Sequence, residues 1–258
     1  MYKILVSEVM LQQTQVHRVL PVYAEFMRRF PTARKLAAAS LSEVLKSWQG
    51  LGYNRRAKML HTASQFPMFL NLAYRTNYGA GDIVQKLEAL PGVGPYTARA
   101  VAAFAFNVDV IVIETNIRTA IIQHFFNTRD TGAGMIYHTS ARKVSDAEIE
   151  EILTRCLPKG RAREWYSALM DHGAHLKRSG ISHNAKSKTY TKQSAFTGSL
   201  REARGAILRT LTLKKSPQGE ALLNLLGDDR REQLRTALAA LVAEKLVKKA
   251  GKGFTLAD

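Results

Sequence analysis

Cysteine is almost absent: Cys156 stands alone among 258 residues. One thiol forms no intramolecular disulfide and supplies no four-cysteine zinc or iron–sulfur site. The seven histidines form no spaced ligand set, so neither a metal nor another cofactor is expected. Acidic residues are also scarce, 21 against 38 Lys and Arg, leaving a formal charge of +17 and a pI near 10.1. That imbalance exceeds what solubility needs and points to a polyanionic partner. Long apolar runs are missing too. None approaches the roughly 18 residues that span a bilayer, and Met1–Leu5 lacks a signal-peptide layout, which argues against a membrane role. What remains is a chain with 46% hydrophobic residues, long enough to bury a cleft. The expectation is a cytoplasmic, nucleoid-associated monomer that binds nucleic acid.

Through about residue 180, apolar residues recur three and four apart and strand-like alternation is scarce, so the spacing predicts a series of helices. Pro31, the Gly50–Gly52 turn and Pro91–Gly94 are among the stops between them. Between His172 and Leu200 there is no Asp or Glu, while Lys177, Arg178, Lys186, Lys188 and Lys192 accumulate. Residues 181–199 therefore read as a basic linker or loop: either a solvated connector or, with Lys186, Lys188 and Lys192, a phosphate contact. Beyond Leu200 the pattern gives three helices (204–213, 219–226 and 231–245) and then alternation around Gly251 and Gly253, the order of a winged helix over 200–258. Arg230, Arg231, Arg235, Lys245, Lys248, Lys249 and Lys252 make that module a second DNA-contact candidate.

The run Leu90 Pro91 Gly92 Val93 Gly94 Pro95 Tyr96 Thr97 Ala98 carries the most local information. Gly92 and Gly94 permit positive φ and close approach, and Pro95 suits the first turn of a helix. Such a turn aims backbone N–H groups at one point, where a phosphate oxygen can sit without any base being read. A plain αα-corner is the other reading.

This run resembles the helix-hairpin-helix of the endonuclease III and MutY glycosylase superfamily. Three further segments extend the resemblance: Val6 to Val16, Trp48 Gln49 Gly50 Leu51 Gly52 Tyr53, and Met170 Asp171 His172 Gly173 Ala174. It implies a mainly α, two-lobed glycosylase domain over 1–180, double-stranded DNA with a mismatch or lesion as substrate, and cleavage of an N-glycosidic bond. Gln12, Gln13, Tyr53 and Arg55 are implied to contact DNA, with Gln13 and Tyr53 filling the gap left by a flipped base. Gly92, Val93, Gly94, Thr97 and Arg118 complete the implied DNA-binding set.

Base excision needs an acid that protonates the leaving base and an anion beside the oxocarbenium-like sugar. Glu8 sits among Val6, Val9, Met10 and Leu11, where desolvation favours the protonated acid. Read alone, a surface glutamate on an amphipathic face is the favoured reading; the match to the family's catalytic glutamate reverses that order and implies the acid. Glu114 follows the apolar run Val110–Ile113 and takes the place of an aspartate, with Thr115 where the family has glycine and Asn116 retained. Three readings stay open: a site adjusted to the extra methylene, another target base, or binding without cleavage. Asn116 is expected to hydrogen-bond the sugar or Glu114. Tyr96 stands where bifunctional members carry a Schiff-base lysine, so a monofunctional, lyase-free enzyme is expected.

The resemblance also implies four cluster cysteines, whose places hold Lys177, Asn184, Ser187 and Gln193, and a Nudix-like C-terminal domain in whose place the winged-helix pattern stands. The function implied is removal of adenine opposite guanine or 8-oxoguanine. The alternatives are thymine, uracil or a deaminated purine as the target, or a silent lesion-binding protein.

Overall fold

The computed structural model describes every residue except 68, 70–79, 127–142, 192 and 214–215. The chain divides into two compact units: Met1–Arg75 with Ala89–Gly92 and Gln193–Asp258, and Thr76–Glu88 with Val93–Lys192.

In the first unit, α1 (Tyr2–Leu11), α2 (Val16–Arg29), α3 (Ala33–Ala38), α4 (Leu41–Ser47) and α5 (Arg55–Ser64) follow in order. Their starts are set locally. Thr32 Oγ1 accepts from the Lys35 N–H at 3.2 Å. Ser40 and Glu43 form a reciprocal capping box at 3.2 and 2.8 Å, satisfying two amides that the first helical turn leaves without partners. The core centres on Trp48, fully buried against Phe26 with ring centroids 5.9 Å apart. Leu5, Met10, Leu36, Leu45 and Leu60 fill in around them.

The C-terminal residues belong to this same unit. They form α11 (Leu200–Leu213), α12 (Gly219–Leu223), α13 (Arg231–Ala243) and a hairpin of β1 (Val247–Ala250) and β2 (Gly253–Leu256), paired antiparallel from Val247↔Leu256 to Ala250↔Gly253. Ile207, Leu208, Leu234 and Leu241 form their buried face. Gln49 Nε2 donates to Thr212 Oγ1 at 3.2 Å, and Lys58 Nζ donates to the Glu244 carbonyl, tying these helices to α4 and α5.

The second unit holds α6 (Ala80–Glu88), α7 (Pro95–Phe106), α8 (Thr115–Ile121) continued by a π-helical turn (Ile122–Phe126), α9 (Asp146–Cys156) and α10 (Ala162–Arg178). Val112, Ile117, Ile121, Ile149, Leu153 and Tyr166 form its core. The apolar run ahead of Glu114 forms neither helix nor strand. Tyr166 serves its backbone instead, donating to the Val110 carbonyl at 3.0 Å and accepting from the Val112 N–H at 3.2 Å. The basic loop is anchored where it leaves α10: Val144 N–H donates to the Lys186 carbonyl at 2.7 Å, and Lys188 N–H donates to the Val144 carbonyl at 3.0 Å.

Candidate functional site

Glu8 is half-buried on α1, whose opposite face buries Tyr2, Leu5, Val6, Val9 and Met10. The helix stops at Gln12, and its last carbonyls need donors. Arg56 supplies them. Its Nη1 reaches the carbonyls of Val9, Met10 and Gln12 at 2.8, 3.0 and 2.6 Å, while Nη2 reaches Thr14 Oγ1 and the Leu51 and Gly52 carbonyls at 3.1, 3.3 and 3.2 Å. Burial lowers its pKa to about 10, so it remains cationic at neutral pH. One guanidinium thus joins the end of the first motif to the turn of the second, with Trp48 Nε1 holding the Gly52 carbonyl from beneath at 3.2 Å. Sequence reasoning missed Arg56 and chose Arg55, which is exposed. The only signal for Arg56 was its place one residue further around the helix.

That clasp brings Gln13 and Tyr53 into one setting, and both adopt left-handed backbone, with φ of +53° and +47°. Such strain costs roughly 1–2 kcal/mol per non-glycine residue and tends to mark functional positions. The Tyr53 hydroxyl accepts from Arg201 Nη1 at 2.9 Å and from Gln193 Nε2. The Arg56 and Arg201 guanidinium carbons lie 5.4 and 5.5 Å from its ring centroid. Beside them is a cavity of about 320 Å³ lined by Gln13, Arg18, Gln49, Tyr53, Gln193, Arg201 and Arg209, with no carboxylate in its wall. It is a basic, amide-rich recess with an aromatic side.

At the hairpin, Gly92 takes φ +76°, and a Cβ there would stand 2.5 Å from that of Met59. Gly94 departs from the expectation of positive φ. It caps α7 with ordinary extended backbone, φ −90°, and has open space around its Cα. Exposure at Gly94 therefore leaves room for a ligand to approach the main chain. Pro95 occupies the first turn as expected, and the first intrahelical bond runs from the Ala98 N–H to the Gly94 carbonyl at 2.9 Å. The N–H groups of Val93 and Gly94 have no hydrogen-bond partner among the described residues. Val93 and Thr97 are buried as side chains, so any contact they offer a ligand is through the backbone, whereas Tyr96 is exposed.

Glu114 is the N-cap of α8. Its Oε1 accepts from the N–H groups of Asn116 and Ile117 at 2.6 and 2.7 Å, and Oε2 accepts from Thr115 Oγ1 at 3.2 Å. The side chain folds back on its own helix start, so its carboxylate is held by two amides. Asn116 meets Glu114 through its backbone, while its side-chain Oδ1 accepts from Lys177 Nζ at 2.7 Å. Lys177 also donates to Thr115 Oγ1 at 3.0 Å; burial lowers its pKa, and Glu114 acts in the opposite direction. At Gly173, one turn earlier on α10, a Cβ would stand 2.1 Å from the Asn116 carbonyl oxygen, so only glycine permits this helix contact. Neighbouring His172 stacks on His124, Nε2 to Nε2 at 2.7 Å.

Several candidate DNA cations are already engaged. Arg118, placed on DNA by the sequence reading, directs its fork to Asp146 at 2.9 and 2.7 Å. Arg230, Arg231, Arg235 and Lys248 pair with Glu202, Glu220, Glu232 and Asp258. Lys245, Lys249 and Lys252 have no acidic partner among the described residues. Of the loop lysines, Lys188 is exposed, Lys186 is half-buried, and Lys192 lies outside the described residues.

Residues 6–146 match the HhH-GPD superfamily base excision DNA repair proteins. Adenine DNA glycosylase of Mycobacterium tuberculosis is 33% identical over 262 residues, covering 95% of this chain and 82% of that protein. The chain belongs to the MutY-type branch of the HhH-GPD superfamily. A second MutY-type relative, adenine DNA glycosylase of Mycolicibacterium smegmatis, is 33% identical over 272 residues, 99% of this chain and 87% of its own length. A solved thermostable thymine-DNA glycosylase superposes with a TM-score of 0.53 over 72% of this chain and 80% of that one, at 22% identity, which places the helical fold.

The iron–sulfur cluster implied by the MutY resemblance does not fit the residues present, because such a cluster needs four thiolates. Lys177 Nζ is bonded to Asn116 and Thr115, Ser187 Oγ lies 2.9 Å from Thr189 Oγ1, and Gln193 Nε2 serves Tyr53. Cys156 is exposed at the end of α9.

Proposed function

We propose that this chain is a monofunctional DNA N-glycosylase that removes adenine mispaired with guanine or 8-oxoguanine, acting as a monomer. The observation that carries the reading is the amide-held Glu114 carboxylate in a chain whose MutY-type relatives, aligned over almost its whole length, are adenine glycosylases. Glu8 is the general acid toward the departing base, and Glu114 is the anion that steadies the sugar cation. Asn116 aids Glu114. Tyr96 offers no amine, so water completes the reaction and no imine forms.

DNA is held by the Val93 and Gly94 amides at the start of α7, where a helix N-terminus favours a phosphate. Gln12, Gln13, Tyr53 and Arg55 enter the duplex, and the recess beside Tyr53 takes the base left without its partner, its edge read by amides and its phosphate by Arg209. Lys186 and Lys188 add charge-dependent affinity, and the C-terminal hairpin contributes through Lys249 and Lys252.

End-labelled duplexes bearing each mismatch, incubated with protein and then treated with alkali, test this directly. Scission is expected at adenine opposite guanine or 8-oxoguanine, with no borohydride-trapped adduct, and with at least about a 10²-fold loss in Glu8→Gln or Glu114→Gln. Cleavage at thymine or uracil would change the substrate. Binding without cleavage of any duplex would overturn the enzymatic reading.

A further inference from the structure

A half-buried lysine at the start of a helix is unfavourable twice over: the ammonium loses water, and it faces the positive end of the helix dipole. Lys177 accepts both costs at the first turn of α8, beneath Asn116 and Thr115. It stands at one of the places where the family resemblance puts a cluster cysteine, and no cluster fits here.

We propose that Lys177 is a positioning residue that replaces this structural tie, fixing the Glu114–Asn116 turn from α10. The assignment rests on the glycosylase reading for its catalytic meaning, but its geometry stands apart from it. Gly173 and Lys177 are four residues apart on one face of α10 and hold Asn116 at two points. Gly173 admits the Asn116 carbonyl, and Lys177 grips the side chain. An ammonium can only donate, so it fixes the amide flip: Oδ1 faces Lys177, and Nδ2, without a partner among the described residues, becomes a donor for the substrate. Lys177 therefore turns Asn116 into a hydrogen-bond donor of fixed orientation while anchoring the turn whose amides hold Glu114.

The test compares Lys177→Met and Lys177→Arg in the full chain. In Lys177→Met, the single-turnover rate on a duplex with adenine opposite guanine should fall about 30-fold, with DNA affinity changed less than about threefold. Lys177→Arg should recover most of the rate, because a cationic donor is restored. In an Asn116→Ala background, Lys177→Met should cost less than about threefold, since the contact is already gone. Hydrogen exchange at the Asn116 and Ile117 amides should quicken about tenfold in Lys177→Met and not in Lys177→Arg. A full additive loss in the double variant, or a weakened salt dependence of DNA binding with an unchanged rate, would make Lys177 a phosphate contact and overturn the proposal. An inactive wild type would refute the glycosylase reading alone. The exchange experiment would then decide: unaltered protection of both amides in Lys177→Met would reject the positioning role.

Discussion

Gly173→Ala is the sharpest probe of the α8–α10 contact. The added methyl would lie 2.1 Å from the Asn116 carbonyl oxygen and 2.5 Å from its carbonyl carbon, both backbone atoms that cannot rotate away. Reaching an ordinary separation requires the helices to part by roughly 1 Å, since carbon–oxygen contacts settle near 3.3–3.6 Å. Overpacking of this kind costs about 1–3 kcal/mol, which a chain of this size survives with a melting temperature lowered by some degrees. The chemical penalty is larger. Asn116 would carry the Glu114 turn with it, and a shift of about 1 Å at a reacting group can cost on the order of 10²-fold in rate. Single-turnover excision of adenine opposite guanine measures the rate, fluorescence anisotropy the DNA affinity, and a thermal melt confirms folding. The expected pattern is a folded protein, near-normal affinity and about a 10²-fold slower excision step. A folded Gly173→Ala variant excising within threefold of wild type would refute the claim that this contact sets the geometry of Glu114.

Arg56→Met should destabilise the first unit by at least about 3 kcal/mol, because it leaves the Val9, Met10 and Gln12 carbonyls without their donor; urea midpoints at constant m-value measure it. Gly92→Ala forces a side chain into left-handed backbone and against Met59, and should weaken duplex binding at least about fivefold without a change in salt slope; an unaltered Kd would contradict it. Burial holds His61, His124 and His183 below the ordinary 6.5, with His172 adding to the effect at His124 and Lys186 at His183. Their contribution is therefore fully present above about pH 6.5 and falls on acidification, as the unfolded chain binds protons that the folded one resists. Melting temperatures at fixed ionic strength should drop between pH 7.5 and 5.5, and a flat profile would count against this.

The helical series, the Gly50–Gly52 turn and the Pro95 helix start were legible because each depends on residues close in sequence. Of the apolar Val110–Ile113 run only Val112 is fully buried, the others packing against the core's edge, and nothing in the run revealed that Tyr166 would satisfy its backbone. Partners far apart in the chain were invisible. Counting cations made Arg118, Arg230 and Arg231 look available to DNA, yet each meets an acid between 11 and 28 positions away. Lys177 could be seen only as a cysteine that was not there; its grip on Asn116 spans 61 residues. Arg56 was hidden for a similar reason, since three of the carbonyls it gathers belong to the end of α1 and its C-cap, more than 40 residues earlier.

The hydroxyl of Tyr53 is held by Gln193 and Arg201, residues that arrive only when the tail of the chain has folded back onto its beginning. Removing that tail would strip one wall from the recess and leave the aromatic ring without its clamp. Grafting another tail would alter how the ring is presented as well as what surrounds it. The Tyr53 ring and the C-terminal helices are in this sense a single instrument, and they must change together.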